Sequence, residues 1–294
     1  MTLEIRGVSK TFNDMLVLND VELVFEPNKI YGLFGPNDSG KTTLLRMIAN
    51  LCYPSEGYIE VDGKDLAKFP AMVEKIYFQS HDKIFAREVP LKKIIKDMTT
   101  FYSTFHPKVC HQLMAKYDIS EKLHFYQLSL REKVLFRNCL SMSLDVDYLL
   151  LDEPGFSLDP TYRHHFYKDM EASMERYPKT IILSTHTIDE VQDIIDDVII
   201  LESGQVLVAN DVKDVVEQAF AIEGNERDIR EFLHGKDILL GQEYDNGIIR
   251  AYVQASASDF VGYDNLKVEQ LDLQDLFIQL TRNAYREEVS VSDQ

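Results

Sequence analysis

Continuous apolar runs alternate with amphipathic segments through the first two thirds of the chain. Residues 30–34 read IYGLF, residues 148–152 read YLLLD, and residues 180–184 and 198–201 have the same character. Runs without polar alternation are typical of strands that are buried on both faces of a parallel sheet. The segments between them have helical spacing, so we predict a doubly wound α/β fold.

A helical insert interrupts this α/β pattern. Between residues 88 and 142 the apolar period becomes helical, beginning with Leu91, Ile94, Ile95 and Met98 at i, i+3, i+4 and i+7. We therefore predict a helical subdomain over residues 88–142, carried by an α/β domain of residues 1–217.

The pattern changes again near residue 218. Residues 238–244 and 248–253 are strand-like, and they flank the sequence DNG at 245–247, which favours a tight hairpin turn. Asp272 then stands as a candidate N-cap before a helix face made by Leu273, Leu276, Phe277 and Leu280. These signals predict a small α+β domain over residues 218–294.

A glycine-rich motif joins the strand at 30–34 to an apolar helix pattern. Residues 35–42 read GPNDSGKT and match G-x-x-x-x-G-K-[ST] at every fixed position. Backbone N–H groups of such a loop converge on phosphates at the positive end of the following helix. Lys41 would reach the β- and γ-phosphates of a nucleoside triphosphate, and the Thr42 hydroxyl would bind Mg²⁺. The alternative, a chance glycine-rich turn, does not account for the strand and helix on either side.

The whole loop and the start of its helix are candidates for nucleotide binding. These candidates are Asn37, Asp38, Ser39, Gly40, Lys41, Thr42 and Thr43.

Two carboxylates stand at the end of the apolar run at 148–152: Asp152 is its last residue, and Glu153 follows directly. Asp152 is suited to hold Mg²⁺ opposite Thr42. Glu153 is suited to polarise a water molecule for attack on the γ-phosphate, which is a general-base role. An isolated Asp-Glu pair would be read as two solvated carboxylates, but the buried strand before it and the phosphate loop upstream favour the catalytic interpretation.

Charge and cysteine content narrow the functional classes. The 294-residue chain has a formal charge of −18, which argues against a nucleic-acid-binding surface. Its three cysteines are widely spaced, as expected for reduced thiols in a cytoplasmic protein. No apolar run approaches the ~20 residues that span a bilayer, and the N-terminus lacks the apolar core of a signal peptide. A role in membrane transport would therefore need a separate membrane partner.

The order of these motifs resembles the ATP-binding subunit of ABC transporters, from residue 1 to about residue 214. The resemblance implies that Phe12 stacks on adenine and that Gln79 contacts Mg²⁺ and the attacking water. It implies that Asp159, in the sequence SLD, acts at the dimer interface and that His186 contacts the γ-phosphate. Without the resemblance, Phe12 would be an ordinary loop aromatic, and His186 could equally be a structural hydrogen-bonding group.

One motif departs from the family pattern. The family signature is LSGGQ or a near variant, whereas residues 128–132 here read LSLRE. Ser129 remains at the start of a helix and can still meet a phosphate. Leu130 and Arg131 replace two glycines of that signature. Glycine allows the backbone to approach a ligand closely, and these two larger residues do so less readily. Arg131 can supply a charge-assisted contact to the γ-phosphate instead, whereas Glu132 would repel it.

The phosphate loop also differs from the family pattern, because Asp38 stands where glycine is commoner. The extra carboxylate predicts a modest loss of ATP affinity by like-charge repulsion. Alternatively, Asp38 turns outwards and contacts an opposing subunit.

The resemblance also concerns partners. Lys83, Arg87, Lys92 and Lys93 make the edge near Gln79 basic, which indicates either a polar surface for a membrane subunit or a solvated helix face. Residues 101–139 are similar to exporter-type ATPases encoded with a separate permease. Residues 268–277 are similar to a C-terminal extension of that group, which there supports dimers or regulation.

We therefore predict a P-loop ABC-type ATPase that binds ATP and Mg²⁺ and powers a separate permease for export of a peptide, drug or lipid. It would lie on the inner face of the cell membrane and act as a homodimer or heterodimer, without nucleic acid. Lys41, Thr42, Gln79, Asp152, Glu153 and His186 would act on the chain's own ATP. Ser129, Arg131 and Asp159 would act across the dimer. A second reading is a degenerate, mainly ATP-binding partner subunit; a non-transport ABC ATPase is a third.

Overall fold

The structure is a computed structural model that describes residues 2–80, 85–234, 236, 239–245 and 248–281. Its strands are β1 (Leu3–Phe12), β2 (Met15–Phe25), β3 (Ile30–Phe34), β4 (Glu56–Val61), β5 (Lys64–Asp65), β6 (Ile76–Gln79), β7 (Tyr148–Asp152), β8 (Thr180–Ser184), β9 (Asp197–Glu202), β10 (Gln205–Asp211), β11 (Ala219–Asn225), β12 (Leu239–Asp245), β13 (Ile248–Gln254) and β14 (Lys267–Gln270). Its helices are α1 (Lys41–Ile48), α2 (Leu91–Phe101), α3 (Pro107–Lys116), α4 (Leu130–Ser141), α5 (Pro160–Arg176), α6 (Val212–Glu217), α7 (Glu226–Leu233) and α8 (residues 273–281).

The predicted buried strands form one six-stranded sheet with the order β10-β9-β3-β8-β7-β6. Neighbours from β9 to β6 are parallel, and β10 adds an antiparallel edge. Every residue of β3, β7 and β8 is buried, which explains their unbroken apolar sequences. Because these strands are parallel, the segments that follow them meet at one edge of the sheet.

A second, antiparallel sheet with the order β2-β1-β4-β5 covers one side of this sheet. Its inward side chains join α1 in a shared core that includes Leu3, Phe25, Leu44 and Ile48. Strand β1 continues to Phe12. The turn lies at Asn13 and Asp14, which both have positive φ.

The predicted helical insert is confirmed as α2, α3 and α4. Leu91, Ile94, Ile95 and Met98 all lie on the buried face of α2, in the same core as the apolar residues of α4 and β7. The insert therefore shares its core with the parallel sheet.

A third sheet, with the order β12-β13-β11-β14, is formed by residues 219–270. Strands β12 and β13 pair in antiparallel register as the hairpin signal predicted, although Asn246 and Gly247 lie outside the described residues. Helix α7 packs on one face of this sheet through Ile229 and Phe232. Helix α8 begins after Asp272, whose carboxylate accepts the Asp275 N–H at 2.7 Å, so the predicted N-cap is confirmed. The division into domains 1–217 and 218–294 stays a prediction.

Within the described ranges, none of the helices combines the length and the apolar composition that crossing a bilayer requires.

Candidate functional site

The loop between β3 and α1 has a backbone that its sequence is suited to adopt. Gly40, the N-cap of α1, has φ 103°, and a Cβ there would lie 2.6 Å from a methyl group of Leu18. Asp38 has φ 61°, a left-handed conformation that aspartate tolerates better than most residues do. Asn37 and Asp38 are exposed, and Ser39 is buried. The aspartate at this glycine-like position is therefore compatible with the loop.

Lys41 lies at the centre of this loop. Its ammonium group donates hydrogen bonds to the carbonyl oxygens of Gly35 and Pro36, each at 2.7 Å. Burial lowers the pKa of Lys41, while the nearby carboxylates of Glu153, Asp152 and Asp38 act in the opposite direction. The loop thus holds one partly buried positive charge among oxygen atoms, at the N-terminus of α1.

Thr42 and Asp152 come together although 110 residues separate them in sequence. The Thr42 hydroxyl lies 3.1 Å from both Asp152 carboxylate oxygens, and Ser184 donates to Asp152 at 2.7 Å. Asp152 is only 1% exposed. A hydroxyl and a carboxylate are oxygen donors of the kind that Mg²⁺ takes, so the residues present fit this ion.

Glu153 and His186 form a pair beside the loop. His186 Nδ1 lies 2.9 Å from Glu153 Oε2. Burial raises the pKa of Glu153, and the positive charges of His186 and Lys41 partly offset this effect. Glu153 also has φ 49°, a conformation that costs free energy in a non-glycine residue and is often retained at functional sites.

Gln79 joins this site to the helical subdomain through Asn138 of α4. Gln79 Nε2 donates to Asn138 Oδ1 at 2.5 Å, and Asn138 Nδ2 donates to the Pro154 carbonyl at 3.1 Å. Gln79 Oε1 is buried and has no hydrogen-bond partner among the described residues, which leaves it able to contact an ion or water. Sequence reasoning missed Asn138; the available signal was an amide inside an apolar helix.

Part of this site borders a cavity of about 460 Å³. The phosphate loop contributes Gly35, Pro36 and Asn37, and the pair Glu153 and His186 also lines the cavity. Its remaining walls are Phe34, Phe156, Thr185, Ile188 and Phe277. Phe277 belongs to α8, so the C-terminal residues take part in a site that sequence reasoning assigned to residues 1–217 alone.

Phe12 is exposed on 43% of its surface at the end of β1. The Lys10 ammonium group lies 4.7 Å from its ring centroid. An exposed aromatic ring is available for stacking.

The N-terminus of α4 differs from the expectation for a phosphate-binding signature. Ser129 and Glu132 form a capping box, in which the Ser129 hydroxyl and N–H donate to Glu132 Oε2 at 2.6 Å and 2.8 Å. These hydrogen bonds lower the pKa of Glu132. The Arg131 guanidinium lies 4.6 Å from the Tyr162 ring centroid. The predicted phosphate contacts of Ser129 and Arg131 would each have to compete with these contacts.

Asp159 is the N-cap of α5 and accepts hydrogen bonds from the N–H groups of Thr161 and Tyr162, each at 3.1 Å.

The structure brings six of the predicted site residues into one region: Lys41, Thr42, Gln79, Asp152, Glu153 and His186. Ser129, Arg131 and Asp159 make local contacts at the starts of two other helices.

Two residues of the basic edge near Gln79 have partners, and one of these partners is a carboxylate. The Arg87 guanidinium lies 5.2 Å from the Tyr126 ring, and Lys93 pairs with Asp97. Lys83 lies outside the described residues.

A phosphate loop, a Thr-Asp pair and a Glu-His pair at one edge of a parallel sheet define a P-loop nucleoside triphosphatase. The sequence family described as ABC transporter matches residues 18–155. The chain is 31% identical to the ABC transporter ATP-binding protein NatA of Bacillus subtilis (strain 168) over 226 residues, which is 71% of this chain and 89% of NatA. It belongs to the ABC transporter ATP-binding proteins.

Two other comparisons agree with this family. The chain is 28% identical to the tungstate uptake system ATP-binding protein TupC of Peptoclostridium acidaminophilum, over 70% of this chain and 97% of TupC. A solved structure titled "Structure of ATP binding subunit of ABC transporter" superposes with a TM-score of 0.68 at 22% identity, over 74% of this chain and 93% of that one. The predicted P-loop α/β fold is therefore confirmed. The chain is the ATP-binding subunit of an ABC transporter, in a family that hydrolyses ATP, forms dimers and works with membrane permeases.

Proposed function

We propose that this chain binds and hydrolyses Mg²⁺-ATP to power a separately encoded permease, and that it does so from the inner face of the membrane. The observation that carries this proposal is the 2.9 Å contact between His186 and Glu153 beside the phosphate loop. A chain that only bound ATP would have no need of a strained, half-buried carboxylate at this point.

The residues that contact this chain's own ATP have separate roles. Lys41 binds the β- and γ-phosphate oxygens, and the loop N–H groups that begin at Asn37 surround the phosphates. Thr42 and Asp152 would hold Mg²⁺, which would offset phosphate charge, and Gln79 Oε1 would be available to the ion or to a water beside it. Phe12 stacks on the adenine.

Glu153 and His186 act on the water and the terminal phosphate. Glu153 orients the attacking water and accepts its proton, a role that positioned carboxylates perform with gains of roughly 10²–10⁴ in rate. His186 holds Glu153 in this orientation through Nδ1 and can donate to a γ-phosphate oxygen through its other ring nitrogen.

A groove between the helical subdomain and the parallel sheet supports a permease partner. Its volume is about 850 Å³, and its apolar surface includes Phe85, Met98 and Phe101, which is 80% exposed. Its acidic side chains are Glu74, Asp97, Asp145 and Asp147. Asp97 pairs with Lys93, and Asp147 pairs with Lys75, which also pairs with Asp62. An amphipathic helix with apolar and basic side chains would complement this groove. The partner surface would therefore differ from the one predicted from the basic edge, which was polar.

Export is the finer part of the proposal. It is supported by the likeness of residues 101–139 and 268–277 to exporter-type ATPases. The name of TupC describes an uptake system, so the relatives do not all work in that direction. Transport of radiolabelled tungstate or of peptide, drug or lipid probes in vesicles that contain the chain and its permease would decide the direction.

A second candidate, a heterodimer, is favoured by the capping box at α4. Glu132 places a carboxylate at the helix end where a partner's γ-phosphate would bind, and the carboxylate would repel it. In a homodimer both sites would have this defect. A partner subunit with the LSGGQ sequence would complete the site built on this chain's own loop.

The test is Mg²⁺-dependent ATP hydrolysis by the purified chain, with Glu153→Gln as the control. We expect hydrolysis that rises with protein concentration and falls by roughly 100-fold or more in the variant, because the general base is lost. ATP binding should be retained in both proteins. If the chain hydrolyses ATP and the variant does so at the same rate, the role of Glu153 is wrong. If both bind ATP and neither hydrolyses it, the heterodimer is favoured.

A further inference from the structure

The apolar side chains of helix α8 contact two different parts of the molecule. Leu276 packs with Ala219, Ala221 and Tyr252 of the third sheet. Leu273 is buried in the core that contains the parallel sheet, and Phe277 packs against this core. Helix α8 is therefore held between the C-terminal sheet and the ATPase unit, and it ties one to the other.

The ATPase side of this contact is the segment that follows β8. Phe277 and Ile188 line the same cavity as His186 and Glu153. Leu273 and Asp272 line a neighbouring groove with residues 192–196. Helix α8 thus runs along the chain from the turn Ile188–Glu190 to the start of β9.

The position of His186 depends on its segment. Its side chain is 64% exposed, so packing around the ring contributes little to its orientation. The segment has a local hydrogen bond of 3.1 Å from Thr187 N–H to the Thr185 hydroxyl, and Ile188 anchors it in the core at 3% exposure. Phe277, from outside residues 1–217, packs against the core that includes Ile188 and lines the same cavity as His186.

We propose that Phe277 is a positioning residue for ATP hydrolysis, which braces the segment carrying His186 so that the ring stays beside Glu153. This inference rests on the proposed function. Functional groups need support that keeps them within about half an ångström of the productive geometry. The C-terminal residues are then part of the hydrolytic site and not only an attachment to it.

Three variants of the full chain test this proposal by ATP hydrolysis and by binding of a fluorescent ATP analogue. Phe277→Ala should lower kcat by about tenfold with little change in nucleotide Kd, because a displaced catalytic group costs rate more than binding. Phe277→Leu should restore most of kcat. Leu276→Ala removes a more buried α8 side chain that packs on the third sheet, and it should lower kcat much less.

A double-mutant cycle adds a readout that loss of stability alone would not change. Phe277 acts through His186, so Phe277→Ala should have no further effect on kcat in the His186→Ala background. Additive losses would overturn the proposal. So would unchanged kcat in Phe277→Ala, or an equal loss in Leu276→Ala.

Amide hydrogen exchange separates this proposal from the proposed function, because it does not require turnover. Residues 186–190 should exchange faster in Phe277→Ala than in the wild type or in Leu276→Ala. Equal exchange in all three proteins would overturn the brace even if the chain is active. If the wild type hydrolyses no ATP, the proposed function fails, and exchange alone decides about Phe277.

Discussion

Two helix N-termini in this chain carry motifs for binding phosphate, and they are prepared differently. Helix α1 begins after Gly40, and among the described residues no side chain caps it and no acidic residue occupies its first turn. Helix α4 begins after its N-cap Ser129, whose N–H and hydroxyl donate to the Glu132 carboxylate in the first turn of the helix. The first N-terminus has N–H groups available for a ligand. The second has internal partners and a negative charge.

The comparison shows that one carboxylate in the first turn can change how a helix N-terminus is prepared for phosphate. A helix N-terminus attracts anions through its N–H groups and its dipole, and a carboxylate in the first turn uses the same attraction. Under the proposed function, the N-terminus that binds this chain's own ATP is therefore prepared for phosphate, whereas the N-terminus that would face a partner's ATP is not.

Removing the charge at α1 should have the largest effect on nucleotide binding. We expect Lys41→Ala to weaken ATP binding by roughly 10- to 100-fold, because charge-assisted hydrogen bonds contribute about 1.5–3 kcal/mol. Titration with a fluorescent ATP analogue measures this. Lys68→Ala, which removes an exposed lysine after β5, is the control and should bind normally. Equal affinities in the three proteins would contradict the assignment of α1.

Breaking the link between the helical subdomain and the site should mainly affect folding. Asn138→Ala leaves Gln79 Nε2 and the Pro154 carbonyl without their side-chain partner, and unpaired buried groups cost roughly 1–3 kcal/mol each. Urea unfolding of the wild type and the variant measures the change in the free energy of unfolding. Ser141→Ala removes a neighbouring buried hydroxyl and should cost less. An unchanged free energy of unfolding for Asn138→Ala would show that the link is unimportant for stability.

The smallest effect is expected at Phe12. Phe12→Ala should weaken ATP binding by about three- to tenfold, since aromatic pairs contribute about 0.5–1.5 kcal/mol. Phe12→Tyr keeps the ring and should bind like the wild type. Binding of GTP and ATP can be compared in the same titration. If Phe12→Ala binds ATP normally, the exposed ring serves another purpose.

The buried strands and the loop motif were predictable because their signals are local. Residues 35–42 and 148–152 define strand, turn and helix within a few positions, and the fold follows from their order. The N-cap at Asp272 was predictable for the same reason.

The contacts that join distant segments were not predictable. Asn138 acts between Gln79 and Pro154, and an amide in a helix does not indicate such partners. Phe277 fits a helix face equally well whether it packs on the C-terminal sheet or against the core beside the cavity that His186 lines. Glu132 was predicted to repel phosphate, but its capping bonds to Ser129 depend on side-chain geometry.

The most direct test of the account restores α4. The variant Leu130→Gly, Arg131→Gly and Glu132→Gln recreates the LSGGQ sequence and removes the capping carboxylate. We predict that ATP hydrolysis at high protein concentration rises by about tenfold or more, because a donor set aimed at the reacting phosphate is worth 10²–10³ in rate when it is complete. Affinity for ATP at low protein concentration should not change. A variant that folds and binds ATP but hydrolyses it no faster than the wild type would contradict the claim that α4 limits this chain.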